Sequence, residues 1–339
     1  MGPIRGRCFV MHVLDPKSRI SKHKGERAMK VLVCGATGYL GSHIADAAKA
    51  RGHQVFGLAR SEASARKLRA SEIEPVPGDL TDTASLPPLI DTVDAVISIA
   101  QVMLEEEYAA AKVMLERMEG TGKTFIFTSG TGLLSQKTDG NWSEDTFAED
   151  DPFVPSKYIG ARLETETMVR SFADRGMRAM VVRPPLMWGN GGCRTIENFY
   201  VSAAKTGAVC YLGAGLNLYS NVHVEDMAEA FMLALEKGVS GALYHCVSGE
   251  ENYRSIAEAI ARHLGVPTRS VSFPDAVEIW DKFTALIAFS VCSRSRSPRA
   301  RRELGWTPSP EKLDILQEVI NPAYSERMSA GRSMPSASA

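Results

Sequence analysis

The sequence has few cysteines, and those it has are scattered. Six are present, and no two form a Cys-x-x-Cys pair; they stand at positions 8, 34, 193, 210, 246 and 292. This spacing supports neither a disulfide framework nor a metal site. No metal is therefore predicted, and a reducing, cytoplasmic compartment is the expectation.

Long apolar runs and an excess of one charge are also missing. No run reaches the roughly 18 apolar residues of a membrane-spanning helix, so no membrane association is predicted. The formal net charge is −1. The one basic cluster, "CSRSRSPRARR" at 292–302, has no interleaved aromatic residues. A solvated loop is the better interpretation of that cluster, and no nucleic-acid partner is predicted.

Strand-like and helix-like segments alternate through the first half of the chain. Between the short apolar runs stand helix-forming segments at 103–119 and 156–174; the runs lie at 53–60, 74–80, 94–100, 123–129 and 178–184. Such alternation predicts an α/β fold with a doubly wound parallel sheet and helices on both faces.

The remaining segments divide the chain further. Residues 29–184 form the predicted main domain, and 185–322 a small C-terminal α/β lobe with strands that return to the sheet. Residues 1–28 hold seven Lys or Arg against two acids. They are interpreted as a disordered extension before a natural start at Met29, with a transit peptide as the alternative. The small, polar stretch 323–339 is predicted to be disordered.

A glycine-rich turn, "GATGYLG", follows the first predicted strand and opens a helix. Gly35 permits the tight turn, Gly38 lets the backbone approach a diphosphate, and Gly41 lets the helix pack on the strand. The free N–H groups at the helix start favour an anion. A dinucleotide is therefore expected here; its predicted contacts are Gly35, Thr37, Gly38, Tyr39, Leu40 and Gly41.

The end of the second strand indicates which dinucleotide binds. It reads "GLARS", with Arg60 and Ser61 where an acid would hold the ribose 2′-hydroxyl of NAD(H). An arginine suits a 2′-phosphate instead, so NADP(H) is predicted over NAD(H). Asp79 is a candidate for the adenine amine, or alternatively a turn residue. The other predicted cofactor contacts are Leu80, Ala100 and Pro184.

Together these motifs resemble the extended short-chain dehydrogenase/reductase superfamily, in its NAD(P)-dependent epimerase/dehydratase branch. The resemblance covers about 29–320 and is carried by "GATGYLG", "GDLTD", "FIFTSGT", "YIGAR", "VVRPPLMWGNGG" and "NVHVEDMAEA", in that order. It implies a Rossmann domain with a substrate lobe. It also implies catalysis by a Tyr and a Lys four apart on a helix, with a Ser or Thr after the preceding strand.

Two positions depart from that pattern. Tyr158 is followed by Arg162 where the family has lysine, and the family's serine position falls on Gly130. Ser129 and Thr131 are then the candidate hydroxyls, with Thr131 preferred. Tyr158 is predicted to donate the proton. The usual pKa of tyrosine, about 10, is too high for easy proton exchange at neutral pH, and a nearby cation, here Arg162, would lower it.

An alternative interpretation gives these residues no chemistry. Tyr158 then only lines the pocket, and Arg162 pairs with Glu166 one helical turn on. Lys157 is set aside as the cation because it would lie about 100° around the helix from Tyr158.

Three functions stay open on the sequence alone. The first is an NADP(H)-dependent oxidoreductase acting on a carbonyl or alcohol of a small organic molecule, with Trp188, Gly189 and His223 on the substrate side. The second is an NAD(P)-dependent nucleotide-sugar epimerase or dehydratase. The third is a non-catalytic NADP(H)-binding sensor. The resemblance implies a small-molecule partner and is compatible with a homodimer formed through 103–119 and 156–174.

Overall fold

A seven-stranded sheet lies at the centre of the protein, for which the computed structural model describes residues 28–330. The strands are β1 (Lys30–Cys34), β2 (Gln54–Ala59), β3 (Glu74–Pro77), β4 (Ala95–Ser98), β5 (Thr124–Thr128), β6 (Gln136–Lys137), β7 (Arg178–Arg183), β8 (Leu186–Trp188), β9 (Val209–Leu212), β10 (Leu218–His223), β11 (Leu243–His245), β12 (Gly249–Asn252), β13 (Thr268–Val271) and β14 (Val291–Cys292). The central sheet has the order β11-β7-β5-β4-β1-β2-β3, and all its neighbours are parallel. The order reverses between β1 and β4, which is where such sheets bind ligands.

The helices either cover a face of this sheet or pack in a C-terminal lobe. They are α1 (Tyr39–Ala50), α2 (Glu62–Ala70), α3 (Leu86–Asp91), α4 (Leu104–Met118), α5 (Arg162–Ser171), α6 (Arg194–Thr206), α7 (Val224–Lys237), α8 (Tyr253–Leu264), α9 (Phe273–Trp280), α10 (Lys282–Thr284) and α11 (Pro322–Ser329). Val31 and Val33 of β1 point into the core shared with α1 and α7. Leu32 and Cys34 point into the core shared with α3, α4 and α5, as the two-residue period of a strand requires. The predicted doubly wound Rossmann fold is confirmed.

The C-terminal half adds a lobe with a core of its own. Its aromatic centre includes Phe199, Tyr253 and Phe289, packed edge to face. Small sheets flank this centre, with β10 between β8 and β12 and with β9 paired to β13. Within 28–330 no helix combines the length and the apolar character needed to cross a bilayer.

Five predicted runs correspond to β2, β3, β4, β5 and β7, but the predicted helix 156–174 is wrong at its start. Residues 157–161 form turns, and α5 begins at Arg162. The amide of Ser156 donates to the carbonyl of Leu133 at 3.0 Å. This hydrogen bond ties the start of the segment to the residues that follow β5.

The predicted disordered tail also needs correction. Residues 322–329 form α11, in which Tyr324 is fully buried and donates its hydroxyl hydrogen to Glu318 at 3.0 Å. Burial of one aromatic ring anchors an otherwise small and polar segment. The remainder of that tail, 331–339, and residues 1–27 of the predicted N-terminal extension lie outside the described residues.

The turn between β1 and α1 is held by two glycines. Gly35 has a φ of +102°, and a Cβ there would lie 2.9 Å from the backbone nitrogen of Ala100. A Cβ at Gly41 would lie 2.0 Å from the Gly35 carbonyl oxygen. Backbone atoms cannot give way as a flexible side chain can, so α1 reaches this depth only with glycine at 41.

We expect Gly41→Ala to destabilise the protein by about 1–3 kcal/mol, the usual effect of overpacking. Urea denaturation followed by circular dichroism measures it. Gly130→Ala is the matched control, because φ at Gly130 is extended and a Cβ there meets nothing closer than 3.9 Å. Equal stability of the two variants would contradict the close approach of α1.

Candidate active site

The start of α1 offers free backbone donors at the point where the strand order reverses. Gly38 precedes the helix and brings no side-chain cap to its first N–H groups. The first N–H groups of a helix have no acceptor within the helix. Thr37 and Gly38 are exposed beside them. These features fit the diphosphate of a dinucleotide, which would bind to the amides of this turn.

Tyr39 and Leu40 turn their side chains away from that surface. The Tyr39 hydroxyl donates to the carbonyl of Gly189 at 2.6 Å, and its ring lies where a side chain at Gly192 would stand. Leu40 is buried in the core beneath α1. Of these two predicted cofactor contacts, only the backbone amides face the diphosphate site.

An arginine side chain without an ion-pair partner in the described part of the chain stands at the end of β2. Arg60 is exposed, and none of the ion pairs among residues 28–330 includes it. The next acid, Glu62, pairs with Arg69 at 2.9 Å. Ser61 accepts a hydrogen bond from the Ser64 amide at 3.2 Å and so caps α2. The local charge available to a ribose is therefore positive.

The end of β3 supports the turn interpretation of Asp79. Its carboxylate accepts from the amide of Thr81 at 3.0 Å, as a turn-forming aspartate does. Leu80 is buried. Contacts of Asp79 or Leu80 with the adenine ring stay predictions.

Two buried hydroxyls follow β5. Ser129 is 8% exposed and Thr131 1% exposed, and neither hydroxyl oxygen has a hydrogen-bond partner within the described chain. The amide of Thr131 donates to the carbonyl of Pro184, which brings the ends of β5 and β7 together. Gly130 lies between the hydroxyls with open space above its Cα. Unpaired buried hydroxyls are rare, and at this edge of the sheet they fit hydrogen bonding to a bound molecule.

Tyr158 lies on the turn before α5, which contacts residues 132 and 133 after β5. The amide of Ser156 is bonded to Leu133, and Ile159 packs 2.9 Å from the position that a Cβ at Gly132 would take. Tyr158 itself is 38% exposed. The phenol is therefore accessible, on a turn that packs against the segment after β5.

Arg162 is bound to an acid on another helix. Its guanidinium donates two hydrogen bonds to the Glu107 carboxylate on α4, both at 2.9 Å. Burial raises the pKa of the Glu107 carboxyl, although the guanidinium opposes that effect. Arg162 thus neutralises a buried acid, and its predicted catalytic role is corrected to a structural one.

The predicted Arg162–Glu166 pair is wrong as well. Glu166 accepts from the guanidinium of Arg183 at 2.8 Å, and both side chains are almost completely buried. Lys157 was set aside as the cation beside Tyr158 on the assumption that both lie on a helix. The chain is not an α-helix at 158, so that reason does not hold. The Lys157 ammonium lies 5.0 Å from the centroid of the Tyr158 ring.

An open cavity of about 690 Å³ adjoins Tyr158. Its lining comes from 135–137 and 152–158, with Asp145, Phe147 and Val291. This segment was not predicted to form a pocket. The signal in the sequence is "DPFVPS", an apolar stretch interrupted by prolines that cannot join a central strand.

Three predicted substrate contacts serve packing instead. Trp188 is 4% exposed, donates its indole N–H to Asn221 at 3.0 Å and meets the His223 ring edge to face. His223 caps α7 by accepting from the Glu225 amide, and burial lowers its pKa. A Cβ at Gly189 would lie 2.3 Å from the His223 ring. None of the three lines the cavity.

Comparison with known proteins decides the family. A model of the NAD dependent epimerase/dehydratase family matches residues 31–246, more than half of the chain. The chain belongs to this family. It is therefore an NAD(P)-dependent enzyme of the extended short-chain dehydrogenase/reductase type, and the resemblance seen in the motifs is confirmed.

Individual relatives span nearly the whole chain. An uncharacterized protein of Saccharomyces cerevisiae is 33% identical over 306 residues, which cover 86% of this chain and 98% of that protein. Sterol-4-alpha-carboxylate 3-dehydrogenase, decarboxylating, of Dictyostelium discoideum is 25% identical over 320 residues, which cover 82% of this chain and 95% of that protein. The crystal structure of a dTDP-glucose 4,6-dehydratase of Bacillus anthracis with NAD has a TM-score of 0.71 at 17% identity. The match covers 90% of this chain and 99% of that one. That last likeness shows the fold.

We expect Arg162→Met to cost about 3–5 kcal/mol, because it leaves the Glu107 carboxylate buried without its cation. The double variant Arg162→Met/Glu107→Met should regain most of that stability. Urea denaturation of both variants tests the pair. If the double variant is no more stable than Arg162→Met, the ion pair does not have the structural role assigned to it.

Proposed function

We propose that the protein is an NADP(H)-dependent oxidoreductase that acts on a carbonyl or alcohol group of a small organic molecule. The observation that carries the proposal is the position of Tyr158. Its exposed phenol lines an open cavity, on a turn that packs against the segment after β5, where Ser129 and Thr131 carry unpaired hydroxyls. A relative named as a dehydrogenase is in keeping with this reaction type.

Each group has one role in the proposed reaction. Bound at the start of α1, NADPH would supply the hydride for the carbonyl carbon. Tyr158 gives a proton to the carbonyl oxygen, or accepts one in the reverse direction. Thr131, with Ser129 beside it, donates a hydrogen bond to that oxygen and orients it.

The preference for NADP(H) rests on charge at the end of β2. Arg60 is exposed, and Glu62 is held by Arg69 on α2. A 2′-phosphate therefore meets a guanidinium and no competing carboxylate at this point.

A nucleotide-sugar substrate finds less support. Such a substrate needs basic groups in the lobe. The ammonium of Lys205, one such group, donates to the carbonyl of Ile279 at 2.6 Å and so stabilises the lobe itself. The non-catalytic alternative has no observation of its own in its favour; the homodimer and the cytoplasmic location stay predictions.

Tyr158→Phe should lower kcat/KM by roughly 100- to 10,000-fold, the usual contribution of a general acid or base. The measurement is NADPH oxidation with a panel of ketones and aldehydes. Tyr108→Phe is the matched control, since Tyr108 on α4 is also 38% exposed and lies outside the cavity lining. Full activity in Tyr158→Phe would exclude the proposed proton donor.

Arg60→Ala should raise KM for NADPH about 10-fold or more, because a charge-assisted hydrogen bond to phosphate is lost. KM for NADH should stay the same. Arg262→Ala, an exposed substitution on α8, controls for the loss of one positive charge. An equal effect on both coenzymes would refute the assignment of Arg60 to a 2′-phosphate.

A further inference from the structure

The cavity beside Tyr158 contains one cation without a counter-ion. The Lys157 ammonium takes part in no ion pair among residues 28–330 and lies over the Tyr158 ring, 5.0 Å from its centroid. The other lysine of the cavity, Lys137, pairs with Asp139 at 3.3 Å. The carboxylate of Asp145 accepts from the Gln136 side-chain amide at 2.6 Å. Lys157 is thus a cation that a ligand can bind, and the negative charge of Asp145, whose partner is a neutral amide, remains in the cavity wall.

The remaining walls are largely apolar. Phe147 and Phe153 meet edge to face with centroids 6.3 Å apart, and prolines 152 and 155 continue the surface with Val154. Val291 also lines the cavity. Such walls favour an aliphatic or aromatic body over a sugar, whose hydroxyls would lose hydrogen bonds to water.

We propose that the substrate is an oxo acid, or the matching hydroxy acid, with an apolar or aromatic body and with its carboxylate bound by Lys157. This substrate class rests on the proposed function of Tyr158. Charge and proton donor stand on adjacent residues, and the ammonium lies close to the phenol ring. The carboxylate and the reacting oxygen of the substrate must therefore be separated by only a few bonds, as in a 2-oxo or 3-oxo acid.

The reaction on such a substrate balances without a further reagent. The carbonyl carbon gains the hydride of NADPH, and the carbonyl oxygen gains the proton of Tyr158. The product is a hydroxy acid with its carboxylate unchanged, and NADP⁺ is released. Lys157 takes no part in the transfer and acts as a specificity-determining residue.

The test compares binding of phenylacetate and phenylacetamide, which differ in the negative charge, by ligand-observed NMR in the presence of NADP⁺. We expect the wild-type protein to bind the acid about fivefold more tightly, the size of an exposed ion pair. Lys157→Met should remove this preference and Lys157→Arg should keep it. Lys112→Met, on the exposed face of α4, should have no effect.

Equal binding of acid and amide by the wild-type protein would overturn the proposal, as would an acid preference that survives in Lys157→Met or binding of neither probe. These outcomes leave the role of Tyr158 standing, because that role is tested by turnover. Conversely, Tyr158→Phe should still prefer phenylacetate, so loss of the proton donor and loss of the anion site are separate results.

Discussion

The close approach of α1 to the end of β1 is the constraint on which the site depends. With only hydrogen on the Cα of Gly41, the first turn of the helix lies against the Gly35 carbonyl. The helix amides are thereby fixed at the point where the strand order reverses. Gly35 in turn lies against the backbone of Ala100 after β4. The ends of β1 and β4 and the start of α1 are therefore in contact through backbone atoms.

Two ion pairs set the position of α5. Arg183 at the end of β7 holds Glu166, and Arg162 holds Glu107 of α4. Both pairs are mostly buried, where an unpaired charge would cost several kcal/mol. They tie α5 to the sheet and to its neighbouring helix. The turn before α5 carries neither pair, which leaves Tyr158 and Lys157 at the surface for a ligand.

Residues with a structural role and residues proposed to contact the substrate lie only a few positions apart here. In the family pattern, one cation four residues after the tyrosine activates the phenol. Here the residue at that place neutralises a buried acid, and the cation beside the phenol ring belongs to the preceding residue. In the proposed function, the exchanged side chain at 162 has a structural role, and Tyr158 keeps the role of proton donor.

The sequence predicted the features that depend on local pattern. Alternating apolar runs located the central strands, and the glycine spacing located the turn after β1, because both follow from backbone geometry and periodicity. Helix formers such as Ala161 and Leu163 favoured a helix from 156. In the structure 157–161 form turns, and the contact of Ser156 with the distant Leu133 is not visible in the local sequence.

Features made by distant residues were missed for the same reason. The partner of Arg162 lies on another helix, whereas the sequence offered Glu166 one turn away. The cavity is formed where 152–158 packs near β6 and β14, far apart along the chain. Trp188 and His223 look exposed in a glycine-rich loop and a polar segment, yet they face each other in the lobe core.

Hydrogen exchange of the backbone amides, with and without NADPH, measures whether the coenzyme binds at the start of α1. The coenzyme should slow exchange in residues 35–42, at the turn and the start of α1, and in 128–131 after β5. Unchanged exchange in both segments at saturating coenzyme, or protection confined to other parts of the chain, would show that the coenzyme does not bind there.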